Sequence, residues 1–179
     1  MNSVVGNVLS EYITKDSQLI DEIISNVGED KSIVEITGAS GTGKSFIFEK
    51  LIHVLLQKQY NFKVMIPRVR GGNHFRDFIH LLTGMENEEY REIIIKSKEF
   101  QIKNRYDFYY YFTKQIEKMT ITTDFIVIYE SSYLDEYTRD FIQFLINYLY
   151  KAKIKFVIFS RKPHYPDGYN IDMTQPTQE

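Results

Sequence analysis

Apolar residues recur along this chain with two alternating periods, and the alternation predicts strands set between helices. Leu19, Ile20, Ile23, Ile24 and Val27 share one helical face, with Asp16 placed to cap the start and Gly28 just beyond the end. Ile33 to Thr37 is a β-branched run with Ile and Val on both faces, the pattern of a strand buried on both sides. From Ser45 to Lys58 the period becomes helical, with Ile47, Phe48, Leu51, Ile52 and Leu55 inward. Phe62 to Ile66 reads as a second strand stopped by Pro67, before a basic, glycine-rich loop of Arg68, Arg70, Gly71 and Gly72.

Phe75, Phe78, Ile79 and Leu82 then repeat at helical spacing up to Gly84, and Glu86 to Lys98 forms a further helix carrying Tyr90, Ile93, Ile94 and Ile95. Tyr106 to Met119 places Phe108, Tyr109, Phe112, Ile116 and Met119 on one face. The run Tyr109-Tyr110-Tyr111-Phe112 has the composition of a base-stacking platform. Its helical spacing, however, sends two rings to the core and two to the flank, and packing is the reading adopted. Asp124 to Tyr129 is a third strand running straight into Glu130, and Asp135 stands ready to cap a helix lined by Phe141, Ile142, Leu145 and Leu149. Ile154 to Phe159 is a fourth strand ending in Ser160-Arg161-Lys162-Pro163, and Ile171 and Met173 mark a short fifth strand in a polar tail. The expected architecture is α/β, three layers with a central, mainly parallel sheet flanked by helices.

Composition narrows this picture. With 179 residues, 43% of them hydrophobic, the chain can fill one core, so a single domain is expected. A net charge of −2 with interspersed signs gives no basic field for nucleic acid or an anionic membrane. There is no cysteine, which removes thiolate zinc sites and cysteine nucleophiles, and His53, His74, His80 and His164 lack metal-ligand spacing and are expected at the surface or in grooves. With no signal core and no apolar run long enough to span a bilayer, a cytoplasmic location is expected.

The chemistry concentrates where the first strand meets the first long helix. Gly38-Ala39-Ser40-Gly41-Thr42-Gly43-Lys44-Ser45 fits G-x-x-x-x-G-K-[ST], a phosphate-binding loop. Its glycines let successive N–H groups converge on a phosphate chain, the following helix presents its positive end, Lys44 reaches the β- and γ-phosphates, and Ser45 ligates Mg²⁺. Such a loop needs a carboxylate at the end of a neighbouring buried strand, and Glu130 holds that position. Ser160 and Arg161 end the fourth strand on the same sheet edge, where a polar or cationic group can reach the γ-phosphate.

The order of phosphate loop, intervening strand, helical insertion, acid-ended strand and Ser-Arg-ended strand resembles the additional-strand class of P-loop ATPases, which includes the AAA+ and STAND signalling ATPases. Within Ile128-Tyr129-Glu130-Ser131-Ser132-Tyr133-Leu134-Asp135, Glu130 matches the STAND magnesium acid, Tyr133 its tryptophan and Asp135 its aspartate. Ser160-Arg161-Lys162-Pro163 is similar to the family's sensor ending, and Tyr12 to Leu19 to its upstream box near the adenine, with Thr14 for glycine and Lys15 for arginine. Many of these ATPases have two successive acids where this chain has Tyr129-Glu130, so one acid serves both tasks or one task is vacant.

The resemblance implies ATP or ADP with Mg²⁺ as cofactors, slow hydrolysis, and a switch acting on attached effector domains or through self-association of ATPase domains. The expected catalytic residues are Lys44, Glu130 and Arg161, and the metal ligands Ser45 and Glu130. Residues 1–31 are expected as a lead-in segment and helix and 32–179 as the nucleotide-binding core, cut before a C-terminal lid domain. A small-molecule or nucleoside kinase with Arg68 and Arg70 as clamps, an ATPase acting on DNA and a non-hydrolysing nucleotide scaffold remain as alternatives.

Overall fold

The β-branched run becomes the strand on which both sides of the molecule are built. A computed structural model describes residues 16–26, 32–67, 74–99, 104–117, 122–148 and 154–174. In chain order these form helix α1 (16–26), β1 (Ile33–Thr37), α2 (Lys44–Gln57), β2 (Phe62–Met65), α3 (His74–Thr83), α4 (Asn87–Glu99), α5 (Arg105–Ile116), β3 (Phe125–Ile128), a 3₁₀ turn at Ser131–Tyr133, α6 (Glu136–Tyr148), β4 (Lys155–Ser160) and β5 (Tyr169–Asp172). The strands make one five-stranded sheet in the order β2-β3-β4-β1-β5, and every pairing is parallel. β4 therefore lies between the strand that feeds the glycine loop and the strand that ends in Glu130.

Strand alternation sorts the core into two layers. Val34, Ile36, Phe125, Val127, Val157 and Phe159 face α1 and α2, meeting Ile20, Ile23, Ile47, Leu51 and Leu55. Ile33, Ile126, Ile128, Phe156 and Ile158 face α3, α5 and α6, with α4 packed outside them through Tyr90, Ile93 and Ile94. This second layer is rich in rings: Phe141 meets Phe75 at 4.9 Å and Tyr109 at 5.2 Å. Such pairs add about 1 kcal/mol each beyond their burial. Tyr109 and Phe112 are fully buried while Tyr110 is half exposed, so the aromatic run of α5 divides between core and flank as its spacing predicts.

The boundaries differ from the sequence reading in small ways. α2 begins at Lys44 rather than Ser45, and β2 stops at Met65, leaving Ile66 exposed. His74 is buried rather than superficial, because it opens α3 against Asp135, its Nδ1 3.4 Å from Asp135 Oδ2. Asp135 does cap α6, accepting from the Thr138 N–H at 2.8 Å and the Thr138 hydroxyl at 2.7 Å. Gly28, Leu149 and Met119 lie outside the described residues, as does the side chain of Ile116.

The connection from β4 to β5 is unusual. A parallel crossover normally takes a dozen residues or more and a helix, yet here residues 161–168 pass over β1 as a loop without helix. Its backbone needs partners, and Glu35, in the middle of β1 and fully buried, supplies them. The Glu35 carboxylate accepts from the His164 N–H (2.8 and 3.0 Å) and the Tyr165 N–H (3.2 Å), and the Ser160 hydroxyl lies 2.9 Å from it. Tyr165 fills the space a helix would occupy, its phenol held above the usual range by burial and by the nearby Glu35 charge. Gly168 lets the loop close, since a Cβ there would meet Ile33 Cγ2 at 2.9 Å.

Candidate functional site

The chain leaves β1 over the α2 face of the sheet and leaves β4 over the opposite face. A crevice opens outside the carboxyl ends of two strands whose connections diverge in this way, and ligands of α/β sheets bind there. Residues 38–43 fill its β1 side. Gly41 and Gly43 sit at φ 86° and 88°, left-handed positions where a Cβ is strained, and they turn the loop back toward the sheet. The Thr42 hydroxyl closes the turn by donating to the Ala39 carbonyl at 2.9 Å.

Gly43 ends the loop and starts the helix: its carbonyl accepts from the N–H groups of Phe46 and Ile47 at 3.0 and 3.1 Å. The first N–H groups of α2, which a helix cannot pair internally, are thus presented at the loop together with the positive end of the helix dipole. Lys44 is buried, with Nζ 2.5 Å from the Gly38 carbonyl oxygen and 2.7 Å from that of Ala39. An ammonium wrapped by the loop's own carbonyls lies inside the curve of the backbone, where a phosphate oxygen would meet it.

The wall of the crevice comes from β3. Tyr129 follows the strand directly, and its hydroxyl is 2.6 Å from Ser45 Oγ. Glu130 comes next, at φ 57° and ψ 50°, a left-handed conformation that costs a residue with a Cβ about 1–2 kcal/mol. Its Oε2 is buried and has no hydrogen-bond partner among the described residues. Backbone strain and an orphaned carboxylate oxygen coincide at the residue the sequence reading assigns to the metal and the attacking water. The residue that touches Ser45, however, is Tyr129.

On the β4 side, Arg161 is exposed just past Ser160. Ser160 departs from its expected role: it is fully buried, its hydroxyl directed to Glu35 and to the Lys162 carbonyl at 2.8 Å rather than to the crevice. Register pairs Ser160 with Thr37, so Arg161 lies beside the start of the glycine loop. Thr14, Lys15, Arg68 and Arg70 lie outside the described residues, as does the tail from residue 175. Tyr133 lies half-buried in the 3₁₀ turn. Two clefts of about 320 and 330 Å³ run along α6, lined in part by Tyr106 and Phe144 and by His164 and Tyr165. Neither is at the glycine loop, whose claim rests on charge and backbone geometry rather than depth.

Among the described residues no cluster of three acidic or histidine side chains is arranged to hold a metal by itself. Ser45 and Glu130 nonetheless fit Mg²⁺ bound with phosphates, because that ion keeps several waters and takes few protein ligands. The unpaired Glu130 oxygen is a chemically suitable partner for it or for one of its waters. No described helix is long and apolar enough to cross a membrane.

No protein-family model matches the chain, and no curated protein matches it. Among solved structures it is similar to a crystal structure of a DNA replication initiation factor, with TM-score 0.46 and 16% identity over 87% of this chain and 44% of that one. It is also similar to C. elegans PCH-2, with TM-score 0.38 and 14% identity over 99% of this chain and 45% of that one. The chain spans less than half the length of either. Its own strand order, all-parallel pairing and strand–glycine loop–helix unit define the class as a three-layer P-loop NTPase fold.

Proposed function

We propose that this chain is a nucleotide-binding ATPase domain that takes ATP or ADP with Mg²⁺ and hydrolyses ATP slowly, as a switch for attached effector domains. The observation that carries the reading is the Lys44 ammonium held inside a loop turned by Gly41 and Gly43 and opening directly into α2. In this reading the loop N–H groups and Lys44 bind the phosphates and stabilise negative charge developing on the transferred group. Ser45 and Glu130 would hold the magnesium ion, which would supply positive charge against the phosphates. Glu130 also orients the attacking water, and Arg161 senses the γ-phosphate from the end of β4.

Slow turnover follows from Tyr129, a neutral group where a second acid would sharpen both the metal and the water. The switch role and the attached effectors rest on the STAND-like strings around Glu130 and Arg161. The same Tyr129 favours, as a second reading, a nucleotide-holding domain without hydrolysis.

Calorimetry with Mg-ADP and Mg-ATP on the parent and Lys44→Ala, with phosphate release measured alongside, tests the proposal. Lys44→Ala is expected to lose measurable binding while keeping its far-UV dichroism and unfolding midpoint. Parental affinity in a folded Lys44→Ala variant would sink the phosphate-loop assignment.

A further inference from the structure

The contact between Tyr129 and Ser45 remains once the loop, Lys44 and Glu130 have their tasks. The ring that carries the phenol is fixed from two sides: Phe48 of α2 packs at 4.7 Å and Phe159 of β4 at 5.8 Å. Phe48 and Phe159 also meet each other edge-on at 5.6 Å. A ring packed between a helix and a strand in this way holds its hydroxyl toward Ser45, 2.6 Å distant.

A serine that shares a lone pair with a cation needs an acceptor for its hydroxyl hydrogen, and a pre-positioned acceptor lowers the cost of orienting it. A carboxylate would accept that hydrogen and add a negative charge near the metal. A phenol accepts it and adds none.

We propose that Tyr129 is a positioning residue of the metal site: its phenol oxygen accepts the hydrogen bond of the Ser45 hydroxyl, turning a serine lone pair toward the divalent cation of a bound Mg-nucleotide. The inference rests on the phosphate-loop reading and assigns the residue that governs its metal dependence. In the absence of the cation either hydroxyl can donate to the other. Cation binding would fix the direction of this one hydrogen bond, Ser45 donating, with each proton staying on its own oxygen. Because Tyr129 adds no charge, Glu130 is the only carboxylate assigned to the ion, and nucleotide affinity depends less steeply on Mg²⁺ than with two acids.

Binding of a fluorescent ADP analogue, titrated with Mg²⁺ and repeated in EDTA, tests this on the parent, Tyr129→Phe, Ser45→Ala and the double variant. Tyr129→Phe keeps the ring and its packing, and is expected to raise the Mg²⁺ midpoint about three- to tenfold, the worth of one hydrogen bond. Its affinity in EDTA is expected to be unchanged, and the double variant should match Ser45→Ala because both substitutions remove the same interaction. An unmoved midpoint in Tyr129→Phe, an equal loss in EDTA, or additive effects in the double variant overturn the role of Tyr129 alone. A parent that binds no nucleotide under either condition overturns the phosphate-loop reading, and this inference falls with it.

Discussion

Glu35 and Glu130 are both glutamates of the parallel sheet's core strands or their ends, and the structure treats them in opposite ways. Glu35 is fully buried, yet its carboxylate accepts from two backbone N–H groups and lies within hydrogen-bond distance of a serine hydroxyl. Glu130 is only half buried, yet one of its oxygens has no partner among the described residues and its backbone is left-handed. A carboxylate whose protein partners are complete has no capacity left for a ligand and serves the fold. One held in a left-handed backbone with an oxygen unsatisfied among the described residues keeps that oxygen open to a further partner.

The largest test of this contrast is Glu35→Leu, which leaves the His164 and Tyr165 N–H groups without their acceptor, while the Ser160 hydroxyl keeps the Lys162 carbonyl. We expect a loss of about 3–5 kcal/mol in stability, measured by urea unfolding, since each orphaned buried donor costs about 1–3 kcal/mol. A loss below about 1 kcal/mol would mean that water replaces the carboxylate and that the crossover is not anchored there. Glu130→Gln should leave unfolding nearly unchanged and retain ADP at saturating Mg²⁺ but lower ATP turnover about 100-fold or more. Turnover at the parental rate would move the catalytic acid elsewhere, and Asp135 is poorly placed to replace it because both of its oxygens already serve Thr138. The smallest effect has the opposite sign: Glu130→Gly relieves the left-handed backbone and should stabilise the fold by about 1 kcal/mol while abolishing turnover. A thermal unfolding midpoint that falls instead would show that the strain is not stored at this residue.

The same pair shows how much the sequence discloses. The glycine loop is legible because its information is local: eight consecutive residues set the backbone, the ammonium and the helix start. The helices from α3 to α6 are legible for a similar reason, each carrying its own apolar period. Glu35 is not, because its partners stand 125–130 positions away, at the end of β4 and in a loop with no pattern of its own. A signal does exist: a charged residue in a strand buried on both faces must have its donors somewhere. Tyr129 sits opposite Ser45 across 84 positions, so its substitution for an acid is visible in the sequence but its contact is not. Ser160 shows the converse error: strand-end polarity suggested a ligand contact, and the structure uses the hydroxyl internally.

The position of β1 also bears on the order in which the molecule can be assembled. Its two neighbours are β4 and β5, with Ile33 beside Phe156 and Val34 beside Tyr169, so neither side of the strand finds its partner until more than a hundred further residues are available. Closing such long loops is entropically expensive and slows folding. On a ribosome, where the chain emerges from its N-terminal end, the phosphate loop would be synthesised early but would stay without its supporting sheet until β4 and β5 have followed. Under the proposed function nucleotide capture would be a late event in the birth of this domain, and a nascent chain arrested after β3 would carry the full glycine motif without the scaffold that shapes it.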